Sequence, residues 1–315
     1  MDYTLGSKNI FFANLKKKTR LDIFLKKKIF KYSRSKIKSF IFDKKVFVDG
    51  IVCKKPSKKI ICAKITFIDS LVKKTSISPE NIPLNVLYQD KDIVIIDKYA
   101  GIVMHPGNGH LSGTLLNAIL YHIKESKHVP RAGIIHRLDK DTTGLLIVAK
   151  NLFSYKKLIS FMKKRNIVRE YEAIVVGNIF SDGYISKPIK RHNYFKTKMS
   201  VHVSGKEAIT YYKVINRFSG CTHVKIKLKT GRTHQIRVHF LYINHPLIGD
   251  KKYFDNRNIH LLEKKCLDYI KKFPRQALHA VNIKFNHPKT NEKKEFHSAL
   301  PKDMVDLIYK LHRGF

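Results

Sequence analysis

The sequence predicts an α+β protein made of a small basic N-terminal domain followed by a larger, β-rich one. Three observations lead there. A chain of 315 residues is long enough for roughly two cores. Short apolar runs of strand length are interspersed with segments of helical spacing, without a regular repeat. A polar stretch with two prolines, residues 69–83 (DSLVKKTSISPENIP), reads as the linker between the halves. With 43% hydrophobic and 11% aromatic residues the chain has enough apolar surface to fold, which excludes a disordered class.

Taken in order, residues 1–17 read as a loose basic tail. Between residues 20 and 68, Leu21, Phe24 and Leu25 have helical spacing, and Ser33-Arg34-Ser35-Lys36-Ile37 opens a second helix capped by Ser33 or Ser35. Val46-Phe47-Val48 then reads as a strand ending in a turn at Asp49-Gly50. The boundaries follow as 18–78 for the small domain and 79–315 for the large one. In the latter, residues 92–96 form a buried-strand pattern, and residues 114–123 are helical, with Leu115, Leu116, Ile119 and Leu120 on one stripe. Strands are expected around Ile134 and at residues 145–149, 171–176, 208–214 and 224–228, with a basic amphipathic helix at 155–165. Residues 255–275 read as a charged insertion of helical character.

The charge balance narrows the function. Against 63 Lys and Arg stand 24 Asp and Glu, a formal net charge of +39. Part of that surplus is solvated surface in a lysine-biased chain, and the rest fits a polyanionic partner, nucleic acid, whose phosphates release counterions on binding. Only 13 of the 63 are arginine. Arginine in so lysine-rich a chain marks positions that need a planar, five-donor fork, and Arg131, Arg137, Arg169, Arg232, Arg237 and Arg275 all lie in motif-like places. The cysteines Cys53, Cys62, Cys221 and Cys266 show no CxxC spacing, so reduced thiols in a cytoplasmic protein are expected. No HExxH pattern occurs, and His234 and His239, taken as part of an alternating strand, would face opposite ways. No metal is expected. Neither a signal peptide nor an apolar run approaching the ~18 residues of a membrane span is present.

Four stretches carry the chemistry. Residues 131–139 (RAGIIHRLD) lead into Lys140-Asp141-Thr142-Thr143-Gly144 and the apolar run LLIVAK. Further on come Arg169-Glu170-Tyr171-Glu172-Ala173, then TGRTHQIRVH at 230–239 followed by His245-Pro246-Leu247-Ile248-Gly249-Asp250, and finally RQALHA at 275–280. From about residue 18 to the C-terminus the chain resembles the RluA-type family of RNA pseudouridine synthases, and within it the D type acting on large-subunit ribosomal RNA. The N-terminal stretch resembles an S4 RNA-binding domain through Arg20-Leu21-Asp22, Ser33-Arg34-Ser35 and Val46-Phe47-Val48-Asp49-Gly50. Two departures from the family are Lys98-Tyr99, where Lys-Pro is usual, and Phe240, where Met is frequent.

The resemblance implies a pseudouridine synthase fold with a mixed, mainly antiparallel sheet core and flanking helices, preceded by an S4-like α/β domain. It implies isomerisation of uridines in a hairpin loop of large-subunit ribosomal RNA, free or in an assembling subunit, by a monomer. The reaction breaks the bond from ribose C1′ to uracil N1 and rejoins the base through C5. It needs neither redox change nor energy input, in keeping with the lack of nucleotide-binding glycine patterns, so no cofactor is expected. One carboxylate beside the reacting sugar and base divides the exchange into easier steps. By motif position that carboxylate is Asp139, with Arg237 as its basic partner. Tyr171 is the stacking aromatic, and Arg137 displaces the target nucleotide from its stack. Asp141 is expected to shape the turn. Arg232 and Gln235, with Arg34 and Lys36 in the small domain, are the expected RNA contacts, and His136, His234 and His239 are expected in core or hydrogen-bonding roles. A non-catalytic RNA-binding assembly factor would use the same basic surface, and the two readings part at Asp139. For a hydrolase or nuclease the sequence lacks the expected paired carboxylates or metal cluster.

Overall fold

The computed structural model describes residues 7–30, 32–69, 77–107, 110–254 and 270–313, and the chain divides into two compact units, Met1–Ser76 and Ile77–Phe315. In the first, strands β1 (Ser7–Arg20), β2 (Val46–Val48), β3 (Ile51–Val52) and β4 (Lys59–Asp69) form an antiparallel sheet in the order β1-β4-β2-β3, with helices α1 (Leu21–Lys28) and α2 (Arg34–Phe42). Residues 7–17 are therefore not a loose tail, because β1 pairs with β4 from Ser7↔Asp69 to Asn14↔Cys62. The strand is hard to read from sequence. Its inward residues Phe11, Ala13 and Leu15 alternate with outward Ile10 and Phe12, so no polar face marks the period.

Ser33 is the cap of α2, its side chain accepting the Lys36 N–H. Asp49 and Gly50 both have positive φ, as the hairpin turn between β2 and β3 requires. Leu21, Leu25, Ile37, Ile41 and Ile65, all fully buried, fill the core of this unit. Arg34, expected to face RNA, is half exposed but committed to the fully buried Asp22 at 2.9 Å, and Arg20 holds the same carboxylate. Lys36 lies over the Phe40 ring at 4.9 Å.

The second unit is built on a nine-stranded mixed sheet. Its strands are β5 (Val86–Gln89), β6 (Ile93–Lys98), β7 (Thr143–Ala149), β8 (Val168–Val176), β9 (Gly183–Ser186), β12 (Ile209–Phe218), β13 (Cys221–Leu228), β14 (Leu278–Asn286) and β15 (Lys293–His297). The order is β5-β6-β7-β14-β8-β13-β12-β9, with β15 beside β14. Among the described strands of this sheet only β7 and β14 run parallel, through His279↔Thr143 and Ala280↔Gly144. A separate hairpin is formed by β10 (Ile189–Arg191) and β11 (Met199–Val201). Among the described residues its helices include α3 (Leu115–His122), α4 (Leu152–Lys164), α5 (Gln235–Tyr242) and α6 (Lys302–Arg313). Thr114 starts α3 with a capping box to Asn117.

Strand β7 shows why its apolar run is unbroken. All seven residues are buried: Leu146 and Val148 enter one core, while Leu145, Ile147 and Ala149 enter another on the opposite face. Two expectations are corrected. Ile134 makes an isolated bridge to Val148 instead of belonging to a strand, after a tight turn with positive φ at Arg131 and Ala132. Residues 235–242 are helical and not an alternating strand. Gln235 to Phe240 are all buried, so the helix has no polar face to betray it. The expected insertion at 255–275 and the linker at 69–83 fall partly outside the described residues. Of the former, Ile270 and Phe273 pack with Met304, Leu307 and Leu311 of α6.

Gly144 joins the polar loop to the sheet. It has φ +106°, and a Cβ there would lie 2.4 Å from the Ala280 carbonyl oxygen on β14. Gly144→Ala is expected to lower stability by about 1–3 kcal/mol through strain and overpacking, measured as a reduced denaturant midpoint for the whole chain.

Candidate active site

The polar loop between Ile135 and β7 opens onto a cavity of about 660 Å³ whose lining includes Arg137, Asp139, His234, Arg237, Lys252 and Arg275. Arg237 stands on the first turn of α5. One guanidinium nitrogen, Nη1, donates to Asp139 Oδ2 at 2.8 Å. The other two, Nε and Nη2, donate to the two oxygens of Asp250 at 2.6 and 2.8 Å. Asp250 is fully buried and also accepts the N–H groups of Lys252 and Tyr253. The guanidinium further lies 4.9 Å from the centre of the Tyr253 ring. One fork thus joins a buried structural carboxylate to a second one that reaches the cavity, a geometry that lysine cannot reproduce. Burial opposes charge on Arg237, but the hydrogen bonds and charge of Asp250, with the charge of Asp139, push its pKa above the ordinary arginine value.

His234 faces the other oxygen of Asp139, Nε2 standing 3.9 Å from Oδ1. Its Nδ1 lies 2.7 Å from the hydroxyl of Tyr253, and that hydroxyl already accepts the Met199 N–H. A phenol that donates to Nδ1 leaves the imidazole proton on Nε2, toward Asp139. Burial draws His234 down to about 4, partly offset by Asp139, so the ring is neutral at physiological pH. Burial likewise raises Tyr253 to about 12 and keeps its donor proton in place.

The turn that presents Asp139 is tied through main-chain oxygens. Lys98 Nζ donates to the carbonyls of Lys140 and Tyr99 at 2.8 Å each, and the Gly101 N–H also reaches Lys140 O. Arg275 Nη1 donates to Asp141 O while its Nε and Nη2 hold Asp303 at 2.7 and 2.8 Å. Gln276 donates to the Thr142 hydroxyl, and Thr142 N–H closes the turn onto Asp139 O. Asp141 enters through its carbonyl, so the backbone, more than this carboxylate, defines the turn. Burial pulls Lys98 down to about 7, against the pull of Asp141 and Asp139.

The structure separates the remaining expected residues. Arg137 is exposed at the cavity mouth. Tyr171 does not line the cavity. It is 4% exposed and belongs to the buried cluster that includes Leu138 and Ile226, with its pKa raised by burial, drawn back by Arg169 and raised further by Asp139. Gln235 is a correction. It is buried, accepts from Thr230 Oγ1 and the Arg232 N–H, and donates to Ile209 O and Thr210 Oγ1, which leaves nothing for RNA. Arg232 is half-buried and bonds Glu207 O. His136 accepts the Ile147 N–H, and His239 lies between Thr210 Oγ1 and Lys187 O, both core roles. Sequence reading gave no site role to His234, Asp250, Tyr253 or Lys98. The Asp250 motif and the Lys98-Tyr99 departure were the available signals. Among the described residues the one potential metal-ligand group is Asp90, Asp92 and His287. The two carboxylates there accept from Ile93 N–H, Tyr88 Oη, Asn151 and Ser154.

Both units match known families. Residues 92–242 match the RNA pseudouridylate synthase family model and residues 19–60 the S4 domain model. The chain is 48% identical over 295 residues to ribosomal large subunit pseudouridine synthase D of Buchnera aphidicola subsp. Acyrthosiphon pisum, covering 93% of this chain and 94% of that one. It is 42% identical over 298 residues to the protein of the same name from Escherichia coli K12, covering 94% and 91%. Among solved structures, human RNA pseudouridylate synthase domain containing 4 is 25% identical with a TM-score of 0.54, covering 72% of this chain and 93% of that one. The chain belongs to the RNA pseudouridylate synthase family and carries an N-terminal S4 domain. It is thus an isomerase by class.

Two tests follow. Asp250→Asn removes one charge from the buried fork and is expected to cost up to about 3–5 kcal/mol of stability, seen in denaturant unfolding, together with a fall in turnover as Asp139 loses its fixed partner. For Lys98 the folded value near 7 lies below the ordinary 10.5. Between those values the unfolded chain holds a proton the folded chain has released, so stability rises with pH across that window by a few kcal/mol. Unfolding midpoints at pH 7, 8.5 and 10 should show that rise in the parent and a smaller one in Lys98→Met.

Proposed function

We propose that this protein converts specific uridines of large-subunit ribosomal RNA to pseudouridine, in a hairpin loop, with Asp139 as the nucleophile. The observation that carries the reading is the Arg237 fork, which presents one carboxylate oxygen pair to an open cavity while its other end is anchored on Asp250. In the reaction the C1′–N1 bond breaks, the base turns, the C5–C1′ bond forms, the proton on C5 leaves and N1 gains one. Every step can proceed with a carboxylate, a neutral imidazole and a fixed cation. Asp139 forms the temporary bond, and Arg237 steadies the carboxylate as charge leaves and returns. His234, with its proton toward Asp139, supplies a hydrogen-bond donor near the reacting centre.

Extrusion of the target nucleotide costs a few kcal/mol, and exposed Arg137 at the cavity mouth occupies the vacated position. Tyr171, enclosed in the core beside Leu138 and absent from the cavity lining, packs beneath the site in this reading, and its hydroxyl, held protonated by burial, does not serve as a base at neutral pH. A loop substrate suits this division, because unpaired bases are the ones that can be splayed into a pocket. The S4 domain supplies electrostatic grip, the protein acts as a monomer in the cytoplasm, and the substrate is free RNA or an assembling subunit. The names and 42–48% identities of the relatives support large-subunit RNA as the substrate class.

The test maps pseudouridines chemically in large-subunit RNA made with and without this protein. Sites that depend on the parent and vanish with Asp139→Asn, while RNA affinity stays nearly unchanged, are the expected result. Product from Asp139→Asn would remove the nucleophile assignment, and an unaltered map without the protein would remove the substrate.

A further inference from the structure

We propose that a second site on the catalytic unit, away from the Asp139 cavity, takes a backbone phosphate of bound RNA in a small basic pocket and stacks a base on Tyr211. It rests on the reading above only in that the bound polymer is RNA. The pocket, about 130 Å³, lies where α4 ends and β8 begins, beside the ends of β12 and β13. Arg165, Arg169, Lys227 and Lys229 line it together with Tyr211 and apolar Leu228.

Arg169 is the decisive residue. It is 9% exposed, and its Nε is buried without a hydrogen-bond partner. Its chain neighbour Glu170 turns to Lys225 at 3.2 Å, and Glu207 pairs with Arg165 at 3.6 Å, so neither serves Arg169. A guanidinium cannot shed its proton to escape burial, and an unpaired buried charge is costly. An anion entering the pocket removes that cost, and phosphate matches the fork. The loop before α5 packs directly on this side chain: a Cβ at Gly231 would lie 2.8 Å from Arg169 Nη1. A strand held here therefore lies beside the Thr230-Gly231-Arg232 loop that leads to Arg237.

The sheet adds the second half of the site. Tyr184, Tyr211, Lys227 and Glu170 are directly opposite one another across β9, β12, β13 and β8, so their side chains share one face. Lys213 and Lys225 form a second cross-strand pair on that face. Tyr184 and Tyr211 are 67% and 41% exposed, with ring centroids 6.0 Å apart. Exposed aromatic rings interleaved with cations are the elements of a single-stranded RNA track. An acidic peptide would satisfy the cations but leave the tyrosine faces without a stacking partner.

The experiment measures binding of the full chain to labelled single-stranded oligouridine over a range of salt. Tyr211→Ala is expected to weaken binding about ten-fold through the loss of one stacked base, and to raise KM for the RNA substrate while kcat holds. Lys227→Gln combined with Lys229→Gln is expected to reduce the log–log salt slope by about 0.7 for each phosphate no longer neutralised. Parental affinity in Tyr211→Ala, or a parental salt slope in the double lysine variant, would overturn the proposal. So would an Arg169→Gln protein that melts at the parental temperature and binds RNA normally, or equal competition by polyglutamate. Oligouridine binding does not depend on which uridines are modified. A wrong large-subunit assignment would show in the pseudouridine map and leave this result standing, and the reverse holds as well.

Discussion

The Arg237 guanidinium, shared between Asp250 and Asp139, is the interaction on which the rest of the site depends. Its two-oxygen grip on Asp250 is fully buried, and Asp250 is itself fixed by the main-chain N–H groups that follow it. That anchor leaves one nitrogen free to meet Asp139 at 2.8 Å. A buried ion pair is seldom a net source of stability, because desolvation offsets the attraction. Its value here is positional. The fork transfers the rigidity of the core to a carboxylate at the edge of a cavity, which holds a charge at a fixed place.

Around that fork the protein uses its few acids sparingly. Asp22 serves Arg20 and Arg34 in the N-terminal unit, Asp250 serves Arg237, and Asp303 serves Arg275. Each is a site where a planar donor set meets a carboxylate. Lysine, the commoner cation, chiefly adds to the outward charge, with Lys98 as an exception that holds two carbonyl oxygens beneath the Asp139 turn. The loop is thus held from below by Lys98, from behind by Arg275 and from across the cavity by Arg237. Its two carboxylates have unequal parts: Asp139 is aimed at the cavity, and Asp141 contributes through its carbonyl.

How much was legible depended on whether an element shows its periodicity. The unbroken run of β7, the cap at Ser33 and the Asp49-Gly50 turn all declare themselves in the residues, because each rests on a local rule. Strand β1 and helix α5 do not. The first carries apolar residues on both faces and the second is buried on all sides, so neither has the polar stripe that sets a period. The same limit explains Gln235. In its motif it looks like a polar contact for RNA, yet its hydrogen bonds are all consumed within the fold. Tyr171 shows it as well, an aromatic expected to stack on the target base and enclosed by the core.

The sequence by itself determined the α+β class, the family resemblance, the polyanionic class of partner and the motif in which Asp139 stands, because composition and motif order are properties of the chain alone. Only the tertiary structure decided which groups meet that aspartate. Arg237 is 98 residues away along the chain, and Asp250 and Tyr253 lie further still. Their convergence and the unpaired Arg169 beside an exposed tyrosine arise from burial and pairing between distant strands. These are quantities that no local pattern encodes.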